Sequence, residues 1–358
     1  MKKLVLAALV IAAMAACTKS NVQFEQPGEI AFQPVAQKAT KAAVVGAGYP
    51  TEEAYNFNVW AWWGDNNATI DATYSSFAAN EYINEGTFKH RNDNIWGGEP
   101  SYYWPTTGSL VFAGYSPAEN LGGTFGYSLN EKKFTVTNYK QSADPANTKD
   151  LMWFDVTSKS YNTRVQTGSG VIPITAEQGV PVTFKHALSW LTFKFNVADA
   201  DLSEKWTVTG VTLNNINTIG NCVAEKSDKA AEVAIWDVTN VTESQVKSSM
   251  NVLADTPKVV TYKGQEEDNP AIDNGGVVII PQSCTSVTIT FTQKTHVGST
   301  STPSQTIELP LSAGADGEAW LSGKRYIYTI VFSADEILIA PTVAPWEGVT
   351  VTDIPVKY

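Results

Sequence analysis

Alternation with a period of two residues is what most limits the folds open to this chain. In Val287-Thr288-Ile289-Thr290-Phe291-Thr292 the apolar side chains share one face and the threonines the other, because successive Cβ atoms of an extended chain point to opposite sides. Such a segment buries one face only, so it belongs in a sheet packed on a core. Leu191 to Val197, Trp206 to Leu213 and Tyr326 to Phe332 repeat the pattern. Val277 to Ile280 is continuously apolar and is stopped by Pro281, which has no N–H for a ladder; it reads as a buried strand ending at an edge. Turn residues such as Gly97-Gly98, Gly122-Gly123, Asn274-Gly275-Gly276 and Gly323 separate the runs at short intervals. Many short strands without intervening helices predict an all-β chain built of sandwiches rather than α/β units.

Helical signals are few. Thr242 and Gln245 are spaced as a capping box, and Val246, Met250 and Leu253 fall at i, i+4 and i+7, which predicts one short surface helix. Residues 72–83 form a second helix candidate. The strand pattern breaks at Gly168 to Gly170 and at Gly179-Val180-Pro181, and the length suits two domains. The chain is therefore divided into an N-terminal β-domain over 46–180 and a C-terminal one over 181–358. Ahead of them lie residues 17–45, a tether with one strand at Glu29-Ile30-Ala31-Phe32, and residues 1–16, a leader.

The leader has the parts of an export signal. Lys2 and Lys3 form its charged start, Leu4 to Ala13 an apolar stretch too short to span a bilayer, and Ala15-Ala16 the small residues a signal peptidase needs. Met14-Ala15-Ala16-Cys17 resembles a bacterial lipobox, whose cysteine takes a diacylglycerol and becomes the new N-terminus, so Cys17 is the expected lipidation site. Each buried acyl methylene contributes roughly 0.8 kcal/mol, and several chains would hold the protein to a membrane. Ordinary secretion, with Cys17 lost or free, is the alternative. Removing residues 1–16 takes away two lysines and no acid, leaving 23 basic against 36 acidic residues, a charge of −13. Nucleic acid is excluded as a partner, since phosphate binding needs a basic face. Cys222 and Cys284 either pair after export or remain thiols.

Catalytic constellations are thin. His90, His186 and His296 are far apart, and neither HExxH nor CxxC occurs, so no metal and no cofactor is expected. His186 is in phase with Val182 and Phe184, which reads as a hydrogen-bonded core histidine. No GxSxG elbow is present, and none of the acids stands in the distinctive context of a glycosidase pair. Glu266-Glu267-Asp268 with Asp273 lacks calcium-loop spacing and reads as a solvated loop. Ala42 to Gly48 imitates the start of a dinucleotide fingerprint, but Thr51 stands where the third glycine belongs and no βαβ unit follows. In Val59-Trp60-Ala61-Trp62-Trp63-Gly64, alternation puts Trp60 and Trp62 on one face and Trp63 on the other. Those rings, with Trp104 in Tyr102-Tyr103-Trp104-Pro105, either fill a core or stack on sugars.

Several phrases together resemble the fimbrillin-type pilins of the Bacteroidetes: Glu29-Ile30-Ala31-Phe32 before Ala39-Thr40-Lys41-Ala42, Tyr103-Trp104-Pro105 before Leu110 to Pro117, Asp150-Leu151-Met152-Trp153, Val182 to Ser189, Val278-Ile279-Ile280-Pro281-Gln282, Trp320 to Tyr328, and Val343-Ala344-Pro345-Trp346. The resemblance implies two transthyretin-like β-sandwich domains in tandem, export as a lipoprotein to the outer membrane, and assembly into a type V pilus by protease-triggered strand exchange. An exposed sheet edge accepts an added strand whose alternate side chains fill a groove. Ile30 and Phe32 alternate as such an exchangeable first strand should, and Ile337 with Ile339, then Val349 with Val351, alternate as donor-strand candidates. Shaft subunits of that family are often cut after an arginine. Here the first arginine is Arg91, and only Lys38 and Lys41 lie in the expected linker, which leaves tip or accessory subunit open beside shaft subunit. The implied partners are other pilin subunits, the outer membrane through the lipid, and a glycan or protein on another surface. The reading is a structural and adhesive protein, not an enzyme. The runner-up is a monomeric cell-surface glycan-binding lipoprotein with Trp60, Trp62 and Trp104 as stacking platforms, and a secreted hydrolase on a sandwich is third.

Overall fold

The computed structural model describes residues 28–36 and then 49–345 apart from short stretches, the longest of them 163–170, 226–233 and 263–275. The first half carries β1 (Ala31–Ala36), β2 (Phe57–Gly64), the single turn of helix α1 (Ser75–Ala78), β3 (Glu81–Asn92), β4 (Ile95–Gly98), β5 (Ser109–Ser116), β6 (Thr124–Ser128), β7 (Lys133–Lys140), β8 (Met152–Asp155), β9 (Ser160–Asn162), β10 (Val171–Pro173) and β11 (Val180–His186). The second half carries β12 (Ser189–Val197), β13 (Trp206–Asn217), β14 (Ile219–Glu225), β15 (Ala234–Asp237), β16 (Lys247–Asn251), β17 (Lys258–Val260), β18 (Val277–Ile279), β19 (Ser286–Gln293), β20 (Gln305–Pro310), β21 (Lys324–Phe332) and β22 (Ile337–Pro345). The chain is all-β, as the alternation predicts.

The nine-stranded sheet runs β10-β9-β5-β2-β3-β4-β1-β11-β8, and β8 pairs with β5 as well as β11. Seven of its strands therefore close into a ring, which removes the free edges an open sheet would present. The two faces of β2 show how the ring is filled. Phe57, Val59 and Ala61 point inward with Phe32, Phe88, Phe112 and Phe184, while Trp60 and Trp62 point outward with Val111, Ala113 and Trp153. That outer face is covered by the four-stranded sheet β15-β14-β7-β6, whose Phe134, Val136, Cys222 and Ala224 belong to the same cluster. A third core lies between the sheets β18-β12-β21-β22 and β16-β13-β19-β20, where Leu191 and Phe193 meet Val208, Val211, Val287 and Ile289. β18 is the edge of its sheet, as the proline stop at Pro281 leads one to expect.

Three expectations are corrected. The region after Thr242 is not a helix: Lys247–Asn251 is a strand, with Met250 opposite Leu213 of β13. The Thr242 hydroxyl accepts a hydrogen bond from Asn138 rather than capping, and Met250 alone of its strand is fully buried, so spacing that fits a helix stripe serves a strand instead. Helix over 72–83 shrinks to Ser75–Ala78, preceded by Tyr74 in the left-handed conformation, and Glu81 already opens a twelve-residue strand. The break at Gly179-Val180-Pro181 is no linker. β11 pairs with β1 and β8, both N-terminal, so a division at 180 separates it from the ring it closes. A Cβ on Gly179 would lie 2.5 Å from the Phe32 carbonyl carbon, so this glycine lets the first strand approach. The halves also share a sheet, since Val136 of β7 lies opposite Cys222 of β14.

Candidate functional site, the groove that holds the first strand

β1 is the one strand of the ring delivered from far upstream, and both of its edges are used. Ala31 and Phe32 lie antiparallel to Gly97 and Trp96 of β4. From Phe32 to Ala36 it runs parallel to Val180 through Phe184 of β11. The residues just before it are held too: the Ile30 N–H donates to the Tyr102 carbonyl at 2.7 Å, and the Trp104 N–H to the Gly28 carbonyl at 2.9 Å. Arg91 of β3 bonds the Glu29 carboxylate at 2.6 and 2.7 Å and also donates to the Gly98 carbonyl. That ion pair is partly exposed and contributes little to stability by itself. The first arginine of the chain thus sits inside the ring wall and clasps the first strand.

Ile30 and Phe32 are both fully buried. The Phe32 ring stands edge-on to Phe88, Phe112 and Phe57 at centroid distances of 4.8, 5.1 and 5.8 Å, and tilted to Phe154 at 6.1 Å. Edge-to-face pairs at such distances add to the burial of their area. Taking β1 away would expose this aromatic well and the facing edges of β4 and β11 at once. At the far end of β11, His186 Nδ1 lies 2.8 Å from Asp150 Oδ2, both side chains sealed from solvent. Nearby the Tyr49 hydroxyl donates to the Tyr55 carbonyl at 2.8 Å, and burial pushes the Tyr49 phenol well above its ordinary value.

The other expected site residues divide sharply. Ile337 and Ile339 lie in β22, antiparallel to Phe332 and Ile330 of β21, half-buried against the C-terminal core. β22 is the outer strand of its sheet. Cys17, Lys38, Lys41, Val349 and Val351, and the acidic loop Glu266 to Asp273, lie outside the described residues. Trp60 and Trp62 are 5% exposed and Trp104 is 3% exposed, so the stacking-platform reading of these three is corrected: Trp60 and Trp62 are core because the outer face of β2 is covered, and Trp104 because it packs edge-on to Phe112 inside the ring. Cys222 and Cys284 are both free; burial pushes the Cys284 thiol up to about 11. Among the described residues no group of three or more His, Cys, Asp or Glu side chains could hold a metal ion, and no helix is long and apolar enough to cross a membrane. Sequence reasoning missed Asp150 and Gly179 as supports of the groove. The only available signals were a carboxylate in an apolar run and a glycine directly before a strand.

The described residues form an all-β ring whose wall includes the first strand, β1, paired on both of its edges. The chain belongs to the fimbrillin-like family, whose model matches residues 40–346. Among solved structures, it is similar to a fimbrial protein of Bacteroides vulgatus ATCC 8482 at 16% identity, covering 88% of this chain and 99% of that one, with a TM-score of 0.49. It is also similar to a fimbrilin of Porphyromonas gingivalis W83 at 10% identity, covering 90% and 98%, with a TM-score of 0.41. No curated protein matches the chain.

Proposed function

We propose that this protein is a structural subunit of a type V-like pilus, exported as a lipoprotein through Cys17 to the outer membrane and assembled there by strand exchange. In this reading it is not an enzyme, and its two β-rich halves are transthyretin-like sandwiches in tandem. The observation that carries it is β1. Its side chains fill the ring as a ligand fills a pocket, and its connection to Tyr49 runs through residues 37–48, which include Lys38 and Lys41. Cleavage there leaves the strand held by non-covalent contacts alone. An emptied groove exposes apolar surface at roughly 25 cal/mol per Å² along with unpaired backbone groups, so loss of β1 is favourable only when another strand takes its place. Val349 and Val351, with Ile337 and Ile339 of the edge strand β22, supply the alternating donor. Arg91 lies within β3 rather than in a linker, which favours Lys38 or Lys41 as the processing site, with shaft, tip and accessory places in the pilus all open to the subunit.

The test is a polymerisation assay on the full chain treated with a lysine-specific protease. Wild-type protein is expected to form ladders that survive mild denaturant. The double variant Lys38→Ala/Lys41→Ala and a chain ending after Ala340 are each expected to remain monomeric. Ladders from both variants would defeat exchange through these segments. Anchoring is tested separately in cells: Cys17→Ala is expected to abolish lipid labelling and slow maturation, whereas normal membrane retention of that variant would reject the lipobox.

A further inference from the structure

We propose that a cleft between Trp63 and Tyr82, at one end of the closed ring, is a binding site for a neutral carbohydrate. Two partly exposed aromatic residues face the cleft. Trp63 is half-buried at the end of β2 with its inner side against the ring core, and Tyr82, near the start of β3, is 39% exposed. Neither side chain hangs free. Trp63 Nε1 donates to the Thr107 carbonyl at 2.8 Å, and the Tyr82 hydroxyl to the Tyr103 carbonyl at 2.6 Å. The Trp63 N–H donates to the Asn80 carbonyl at 2.8 Å, which ties the strand to the opposite wall of the cleft. Gly108 completes the arrangement: at φ +80° it turns the chain beneath the indole, and a Cβ there would lie 2.5 Å from Trp63 Nε1. Between these residues is an open cleft of about 710 Å³, lined also by Asn80, Glu81, Thr106 and Thr107.

The chemistry of the lining selects the ligand class. A pyranose presents an apolar C–H face, suited to an aromatic ring, and a rim of hydroxyls that both donate and accept. The Asn80 amide, the Glu81 carboxylate and the threonine hydroxyls offer the matching acceptors and donors. Rigid aromatic side chains also lose little conformational freedom on binding. A partner docking through an apolar hot spot would instead need a dry, enclosed pocket. The net charge of −11 and Glu81 inside the cleft disfavour an anionic glycan. The cleft adjoins the Tyr102 to Trp104 segment that holds the residues before β1, but its lining includes no residue of β1 itself.

Unpolymerised full chain is titrated calorimetrically with cellohexaose, mannohexaose, maltohexaose, laminarihexaose and hyaluronan oligosaccharide. At least one neutral hexasaccharide is expected to bind with a Kd below about 1 mM and hyaluronan not to bind. Tyr82→Ala and Asn80→Ala, both at exposed positions, are expected to weaken binding about tenfold each, with the Tm unchanged. Trp63→Ala touches the core, so Glu81→Gln serves as the third variant and is expected to weaken binding without unfolding. No binding by any neutral sugar, equal binding by the Tyr82 and Asn80 variants, or equal binding of hyaluronan would each overturn the proposal. Displacement of the sugar only by unrelated peptide would overturn it in favour of a protein-docking surface.

Discussion

Replacing Phe32 with Ala is expected to lower the free energy of unfolding by about 3–5 kcal/mol, the range for a fully buried Phe truncated to Ala. The upper part of that range applies because the site cannot collapse. Phe32 touches Phe57, Phe88, Phe112 and Phe154, and those rings are carried by strands locked into a closed ring, so the cavity keeps most of its volume. Gln33, one residue on, is exposed and points outward, so Gln33→Ala is the control and should change stability by less than about 0.5 kcal/mol. Urea unfolding measures both. The same substitution weakens the hold of the first strand, so after cleavage Phe32→Ala should also exchange faster than wild type. A loss under 1 kcal/mol would mean that β1 is not seated as described.

His186→Leu is expected to cost about 1–3 kcal/mol, the penalty for leaving the buried Asp150 side chain without its hydrogen-bond partner. Asp150 Oδ1 has no hydrogen-bond partner, so Oδ2 depends on His186 for its contact at 2.8 Å. With the imidazole gone, Asp150 stays buried, close enough to Tyr49 and Tyr139 to help raise both phenols. Replacing both partners, His186→Leu with Asp150→Leu, removes the unsatisfied polar group and should recover most of the loss, since exchanging both members of a buried hydrogen-bonded pair for apolar groups of similar shape can be nearly neutral. Chemical denaturation of the two variants checks this. A double variant as unstable as the single one would show that the pair holds β11 through geometry that leucines cannot replace.

Much of the architecture is legible in the chain because half-buried strands declare themselves. The alternation in β13, β19 and β21 maps directly onto one covered face, and Trp60 and Trp62 are on the opposite side of β2 from the ring interior, as their spacing requires. The same alternation is silent about what covers the second face, and that is why three tryptophans read as either core or platform. For Trp60 and Trp62 the answer is β7 and β14, brought together from both halves of the chain by pairing that no local pattern encodes, and for Trp104 it is the ring interior beside Phe112. Met250 misleads for a related reason, since five residues with one buried position fit either period. Of the candidate site, Ile30 and Phe32 were legible from their own alternation. Asp150 and Gly179 were not, because each acts on a residue remote in sequence. Trp63 and Tyr82 likewise become a cleft only through the register of β2 and β3.

The parallel pairing of β1 with β11 also sets the order in which the molecule can fold. A chain that emerges from its N-terminus presents Phe32 long before Val180, so the ring cannot close until everything between them has followed. Contacts of such large sequence separation form late and slowly, because the entropy of closing the intervening loop is lost before the contact is gained. The first strand can pair with β4 early, but its seam with β11 is among the last parts of the wall to close.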